Sequence, residues 1–154
     1  MERTARLSVA IVAAPRMRRH CLAILTHADG QRWPSRVEVV SARRLLQRDR
    51  PSVLLLDAIS SPMRALSVLP IINRLSPATR LIVIGRSATP TEVVLEAVRR
   101  GASGHIGADD LARDLPKAIH AVASGEPWLP RRLGAAIVAE LRATASVGVA
   151  YQRE

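Results

Sequence analysis

Residues 53–57, Val-Leu-Leu-Leu-Asp, stay apolar for four positions without alternation and then stop on a carboxylate. A strand with one wet face alternates. An unbroken apolar run this short fits a strand covered on both faces, as in a parallel sheet packed between helices. Residues 81–84, Leu-Ile-Val-Ile, repeat the pattern and close on Gly85, and residues 7–12 give a shorter version that ends at Ala13-Ala14-Pro15. Further strands are expected at 37–40 and 104–106. Between these runs the apolar spacing turns helical. Residues 17–28 carry Met17, Cys21, Ile24 and Leu25 on one face, with Asp29-Gly30 as the break. Residues 41–47 form a helix with Ser41 as N-cap, and 65–75 another, which Pro70 must kink or shorten. Residues 91–100 start after Thr89-Pro90 and stop at Gly101, and 111–124 place Leu111, Leu115, Ile119 and Val122 together before Gly125. Five strands alternating with five helices through short connections predict an α/β fold, a parallel sheet with helices on both faces. Beyond Pro127-Trp128-Leu129-Pro130 one more helix is expected at 131–143, then a weakly ordered tail at 144–154.

Composition narrows the function classes. The hydrophobic fraction of 48% excludes a disordered chain, and with no Phe the core must be built from Leu, Ile, Val and Ala. A single cysteine excludes an internal disulfide and fits a reducing compartment. No apolar run approaches the ~18 residues of a membrane span, and the N-terminus lacks the pattern of a signal peptide, so a cytoplasmic protein is expected. The net charge of +10 rests on arginine, with Lys117 the only lysine. Two readings stand: an acidic or nucleic-acid partner, or arginine spread over solvated faces. The arginines are dispersed in short clusters, without the basic run of a nucleic-acid-binding arm. His20, His27, His105 and His120 lack metal-ligand spacing, and Cys21 sits on an apolar helix face as a core residue. Asp109-Asp110 are placed to cap the helix that follows. With no nucleophile, acid/base pair or phosphate-binding glycine loop in view, no enzyme is expected.

Four stretches carry a family likeness: residues 51–57 ending in Asp57, residues 79–84, residues 96–104 (Glu-Ala-Val-Arg-Arg-Gly-Ala-Ser-Gly), and residues 118–126 (Ala-Ile-His-Ala-Val-Ala-Ser-Gly-Glu). In this order and spacing the chain resembles the receiver domain of two-component response regulators, of the NarL/FixJ (LuxR-type) subgroup. The resemblance implies a doubly wound, five-stranded parallel sheet of the flavodoxin/CheY type, strand order 2-1-3-4-5, with an extra C-terminal helix. It implies a receiver-like domain over 1–128 and a linker-type helix and tail over 129–154, without a helix-turn-helix output domain. It also places a phosphoacceptor at Asp57, on the carboxyl edge where open α/β sheets bind ligands.

The rest of the implied site is degenerate. The acidic pair that holds Mg²⁺ falls on Ala13 and Ala14, the strand-four hydroxyl on Gly85, the lysine on Ala108, and the switch aromatic on His105. Pro62 stands one place later than the family's proline. Phosphoryl transfer depends on positioning and charge stabilisation, so Mg²⁺ binding is expected to be weak or absent and Asp57 a poor acceptor. Arg16 and Arg86 follow the first and fourth strands. Either they converge on Asp57 as pocket charges, or they point into water. The leading expectation is a phosphorylation-impaired interaction module. Its partner is a histidine kinase, another regulator or a second copy, engaged near strands four and five or through helices one and five, with no membrane and no sequence-specific DNA contact. The alternatives are a receiver that still accepts phosphate on Asp57, and the N-terminal part of a LuxR-type DNA-binding regulator.

Overall fold

The apolar runs lie side by side in one parallel sheet. The structure, a computed structural model, describes residues 7–27 and 50–152. Among these residues the strands are β1 (Val9–Val12), β2 (Val53–Asp57), β3 (Arg80–Gly85) and β4 (Gly104–Gly107), in the order β1-β2-β3-β4. Ile11 stands opposite Leu55, Asp57 opposite Ile84, and Ile82 opposite Gly104. This is the 1-3-4-5 part of the expected order. The expected strand at 37–40 and helix at 41–47 lie outside the described residues, so four strands are seen rather than five.

The helices are α1 (Pro15–His27), α2 (Pro62–Leu75), α3 (Thr91–Arg99), α4 (Leu111–Ala123) and α5 (Arg131–Gln152), with a short 3-10 turn, Ala108–Asp110, joining β4 to α4. Alternate residues of each strand feed opposite faces, as the two-residue repeat of a strand requires. Val9, Ile11, Val53, Leu55, Ile82, Ile84 and Ile106 meet Cys21 and Leu25 of α1 and Leu111, Leu115, Ile119 and Val122 of α4. Ala10, Leu54, Leu56, Leu81 and Val83 meet Ala65, Leu69 and Ile72 of α2 and Ala97 of α3. Both faces are dry, which explains why the strands do not alternate in sequence.

Three local expectations change. α2 begins at Pro62 rather than at 65, because proline at the first helical position gives up only an N–H that would be orphaned anyway. The helix is not shortened at Pro70. Proline there leaves the Leu66 carbonyl without its usual donor, and the Arg100 guanidinium supplies one from the end of α3, Nη1 to O at 3.1 Å. Asp109 and Asp110 make no side-chain cap to α4; Asp110 instead pairs with Arg113 at 3.2 Å.

The expected tail at 144–154 is helical through Gln152, as a continuation of α5. Its hydroxyls fold back onto the helix rather than breaking it, Thr144 donating to the Glu140 carbonyl at 3.0 Å and Ser146 to the Arg142 carbonyl at 2.9 Å. α5 is fixed to α3 at its start, where buried Leu133 packs on Val94 and Leu95. Arg99 of α3 also pairs with Glu140 at 2.6 Å, but both side chains are exposed and the pair adds little. Leu133→Asp should therefore release α5 while leaving the sheet intact. Amide exchange over residues 131–140 should rise by about tenfold or more, with strand amides still protected. Hydrogen-exchange mass spectrometry reads both together.

The segment before α5 guards an edge. The Trp128 carbonyl accepts from the His105 N–H at 2.8 Å, and the Trp128 N–H donates to the Ser103 carbonyl at 3.1 Å, so the outer edge of β4 is paired rather than open.

Candidate functional site

Parallel strands bring their carboxyl ends to one edge, and four chain reversals meet there: Ala13-Ala14 after β1, residues 58–61 after β2, residues 86–90 after β3, and the 3-10 turn after β4. Asp57, the last residue of β2, is 9% exposed at the centre of this edge. Its carboxylate is already engaged. Oδ1 accepts from the Ile59 N–H at 2.8 Å and the Ser60 N–H at 3.4 Å. Oδ2 accepts from the Ser60 hydroxyl at 3.0 Å and the Ala14 N–H at 3.3 Å. Residues 57–60 thus fold into an Asx turn, and the first strand's loop closes on the same carboxylate. The sequence signal for this turn, an aspartate with a serine three residues on, was present but not used.

Ala13 and Ala14 flank Asp57 with methyl groups, half-buried. Arg16 and Arg86 are exposed, and neither is among Asp57's hydrogen-bond partners. Ala108 is half-buried in the 3-10 turn. That turn is drawn tightly against the β3 loop. A Cβ on Gly107 would lie 2.9 Å from the Ser87 Cα, and the Asp109 N–H donates to the Ser87 hydroxyl at 3.1 Å.

Gly85 and His105 form one unit. The His105 ring, 7% exposed, lies directly over Gly85, and a Cβ on Gly85 would stand 2.5 Å from its Nε2. The ring therefore fills the space a strand-end hydroxyl side chain would occupy. Burial, with a smaller push from the Arg132 guanidinium, lowers the His105 pKa to about 4, so the ring is neutral at pH 7. Arg132 in turn donates to the Thr89 carbonyl, which ties the start of α5 to the β3 loop. Cys21 is buried behind the edge. Desolvation first, and the nearby Asp57 charge second, raise its thiol to about 11, so it behaves as a core residue.

His20, His27 and His120 do not join this edge. Among the described residues no three His, Cys, Asp or Glu side chains come together as a metal site, and no helix is long and apolar enough to cross a membrane.

No protein-family model matches the chain. The nitrate/nitrite response regulator protein NarL of Escherichia coli (strain K12) is 36% identical over 93 residues, which cover 60% of this chain and 43% of NarL. A LuxR family DNA-binding response regulator from Silicibacter pomeroyi superposes with a TM-score of 0.65 at 25% identity, over 82% of this chain and 98% of that one. The chain has the fold of a response-regulator receiver domain and is similar in sequence to those of the NarL/LuxR type. The isolated receiver (REC) domain of RcsB from Salmonella enterica serovar Typhimurium shares the fold, with a TM-score of 0.67 at 19% identity over 84% of this chain and 98% of that one. The receiver accounts for under half the length of its curated relative.

A receiver of this type implies Mg²⁺ beside its aspartate, and the residues present do not fit one. Ala13 and Ala14 offer no oxygen ligand from their side chains, and both oxygens of the one remaining carboxylate already accept hydrogen bonds from the protein. Mg²⁺ gives up its hydration shell reluctantly and asks for carboxylate or phosphate oxygens in return.

Proposed function

We propose that this receiver is a phosphorylation-impaired interaction module in two-component signalling, acting by binding a protein rather than by chemistry of its own, in the cytoplasm. The observation that carries the reading is the saturated state of Asp57. To attack a phosphoryl group the carboxylate must release donors from Ser60 and Ile59, and no metal-holding acid or lysine stands at Ala13, Ala14 or Ala108 to replace them. Electrostatic stabilisation is the main contribution a protein makes to such a transfer. A second obstacle follows at Gly85 and His105. A switch needs contacts that differ between two states, and here the hydroxyl that would sense phosphate is missing while the ring already occupies its space.

The partners this reading names are a histidine kinase, another regulator, or a second copy of the chain. Exposed apolar side chains available for such contacts are Met63, Ile71 and Leu75 on α2, Val93 on α3, and Val138 and Leu141 on α5. Incubation with acetyl phosphate and Mg²⁺, followed by intact mass, tests the proposal. The expected result is no phosphoryl increment under conditions that modify an ordinary receiver. A stoichiometric adduct that disappears in Asp57→Asn would instead establish the phosphoaccepting reading.

The names of the relatives favour a further reading, that the chain serves as the N-terminal part of a LuxR-type DNA-binding regulator, since it matches only 43% of NarL's length. In that case the DNA contact lies outside the receiver. The described domain alone should then show no sequence-dependent DNA affinity at moderate salt.

A further inference from the structure

On the face of the sheet covered by α2 and α3, a cavity of about 430 Å³ opens at the carboxyl edge, within the range of small-molecule sites. Its walls are apolar, chiefly Ala65, Leu66, Leu69, Val83, Val93 and Ala97. Three polar side chains also line it: Arg86, Thr89 and His105. Among the described residues no aspartate or glutamate lines it.

Two of these polar groups lack protein partners. The His105 side chain lines the cavity and makes no hydrogen bond to a described residue. Arg86 has no ion pair among the described residues. An apolar chamber lined by a guanidinium without an ion pair and by an imidazole is complementary to a molecule with a greasy body and one acidic head. A carboxylate matches the guanidinium fork and accepts from an imidazole N–H, whereas an ammonium group would be repelled by the Arg86 charge.

We propose that this cavity binds a small amphipathic carboxylic acid, its apolar body between α2 and α3 and its carboxylate toward Arg86 and His105. The bound molecule touches Pro62 of α2 and Pro90 before α3, so it would bias the positions of both helices without phosphate. This step goes beyond the interaction-module reading and is independent of it. The phosphoryl mass test reads Asp57 and the ligand test reads Arg86 and His105, so either can fail alone.

The test is a titration of the full chain with octanoate, octylamine and octanol, followed by amide NMR shifts at Gly85, Thr89 and His105 and by calorimetry. Octanoate should bind saturably at these residues, about tenfold or more tighter than octylamine. Arg86→Gln, an exposed change, should weaken octanoate by about tenfold and leave octanol unaffected. Val93→Trp, at a 40% exposed wall position, should weaken all that bind. Equal affinity for octanoate and octylamine would overturn the proposal in favour of a cavity that accepts any apolar group, such as a partner's side chain. An octanoate affinity unchanged in Arg86→Gln, or the absence of saturable binding, would overturn it as well.

Discussion

Lowering the pH from 7 to 4 is expected to cost the folded chain about 3 kcal/mol through His105 alone. The folded ring titrates near 4 and a free imidazole near 6.5. Between those values the unfolded chain binds one more proton than the folded one. Stability is therefore whole above about 6.5, falls as the pH drops through the window, and levels off below about 4. Nothing around the ring relieves this. The charged groups at its own two cavities are Arg86 on one side and Arg113, Arg131 and Arg132 on the other; the only carboxylates there, Asp110 and Asp114, are already paired with Arg113. Other carboxylates also protonate in this range, so the contribution is isolated by comparison with His105→Phe, an apolar ring of similar size. Urea unfolding at several pH values should show a wild-type slope steeper than that of the variant between pH 6.5 and 4. Parallel slopes would mean that the ring is solvated or has found an acceptor.

The second large effect is at Asp57. Asp57→Leu should destabilise the domain by about 3 kcal/mol or more, because it leaves the Ala14 and Ile59 N–H groups and the Ser60 hydroxyl without their acceptor in a partly buried turn. Asp57→Asn keeps one acceptor oxygen and should lose about 1–2 kcal/mol. The sign is informative. A carboxylate maintained for reactivity at the expense of stability gives variants that are neutral or more stable, while one that organises a turn gives variants that are weaker. Chemical denaturation of both variants decides between the roles.

The sheet could be read from sequence because its strands are dry on both faces, so their central runs stay apolar without alternation. Val53–Asp57 and Arg80–Gly85 differ from the sequence reading by at most a residue at each end. The site was half legible. That Ala13, Ala14, Gly85 and Ala108 bring no acid, hydroxyl or amine is visible as residue type. That His105 covers Gly85 depends on a rotamer and a close approach between two strands, which no one-dimensional pattern encodes. The placement of Arg16 and Arg86 is open in the sequence for the same reason, since a long side chain in a loop is placed by its neighbours rather than by its spacing. The helical continuation to Gln152 was not expected from sequence; in the structure the Thr144 and Ser146 hydroxyls satisfy themselves on carbonyls one turn back.

The borrowed donor at Leu66 gives α2 an unusual dependence. A helix with proline in its middle cannot complete its own ladder, and here the missing rung comes from a different part of the chain, Arg100, thirty-four residues on. Local order in residues 62–75 is thus conditional on α3 having docked, so the two helices should gain and lose structure as one cooperative unit. A peptide of residues 62–75 alone would be a poor helix, and any partner that pries α3 away would loosen the neighbouring helix as well.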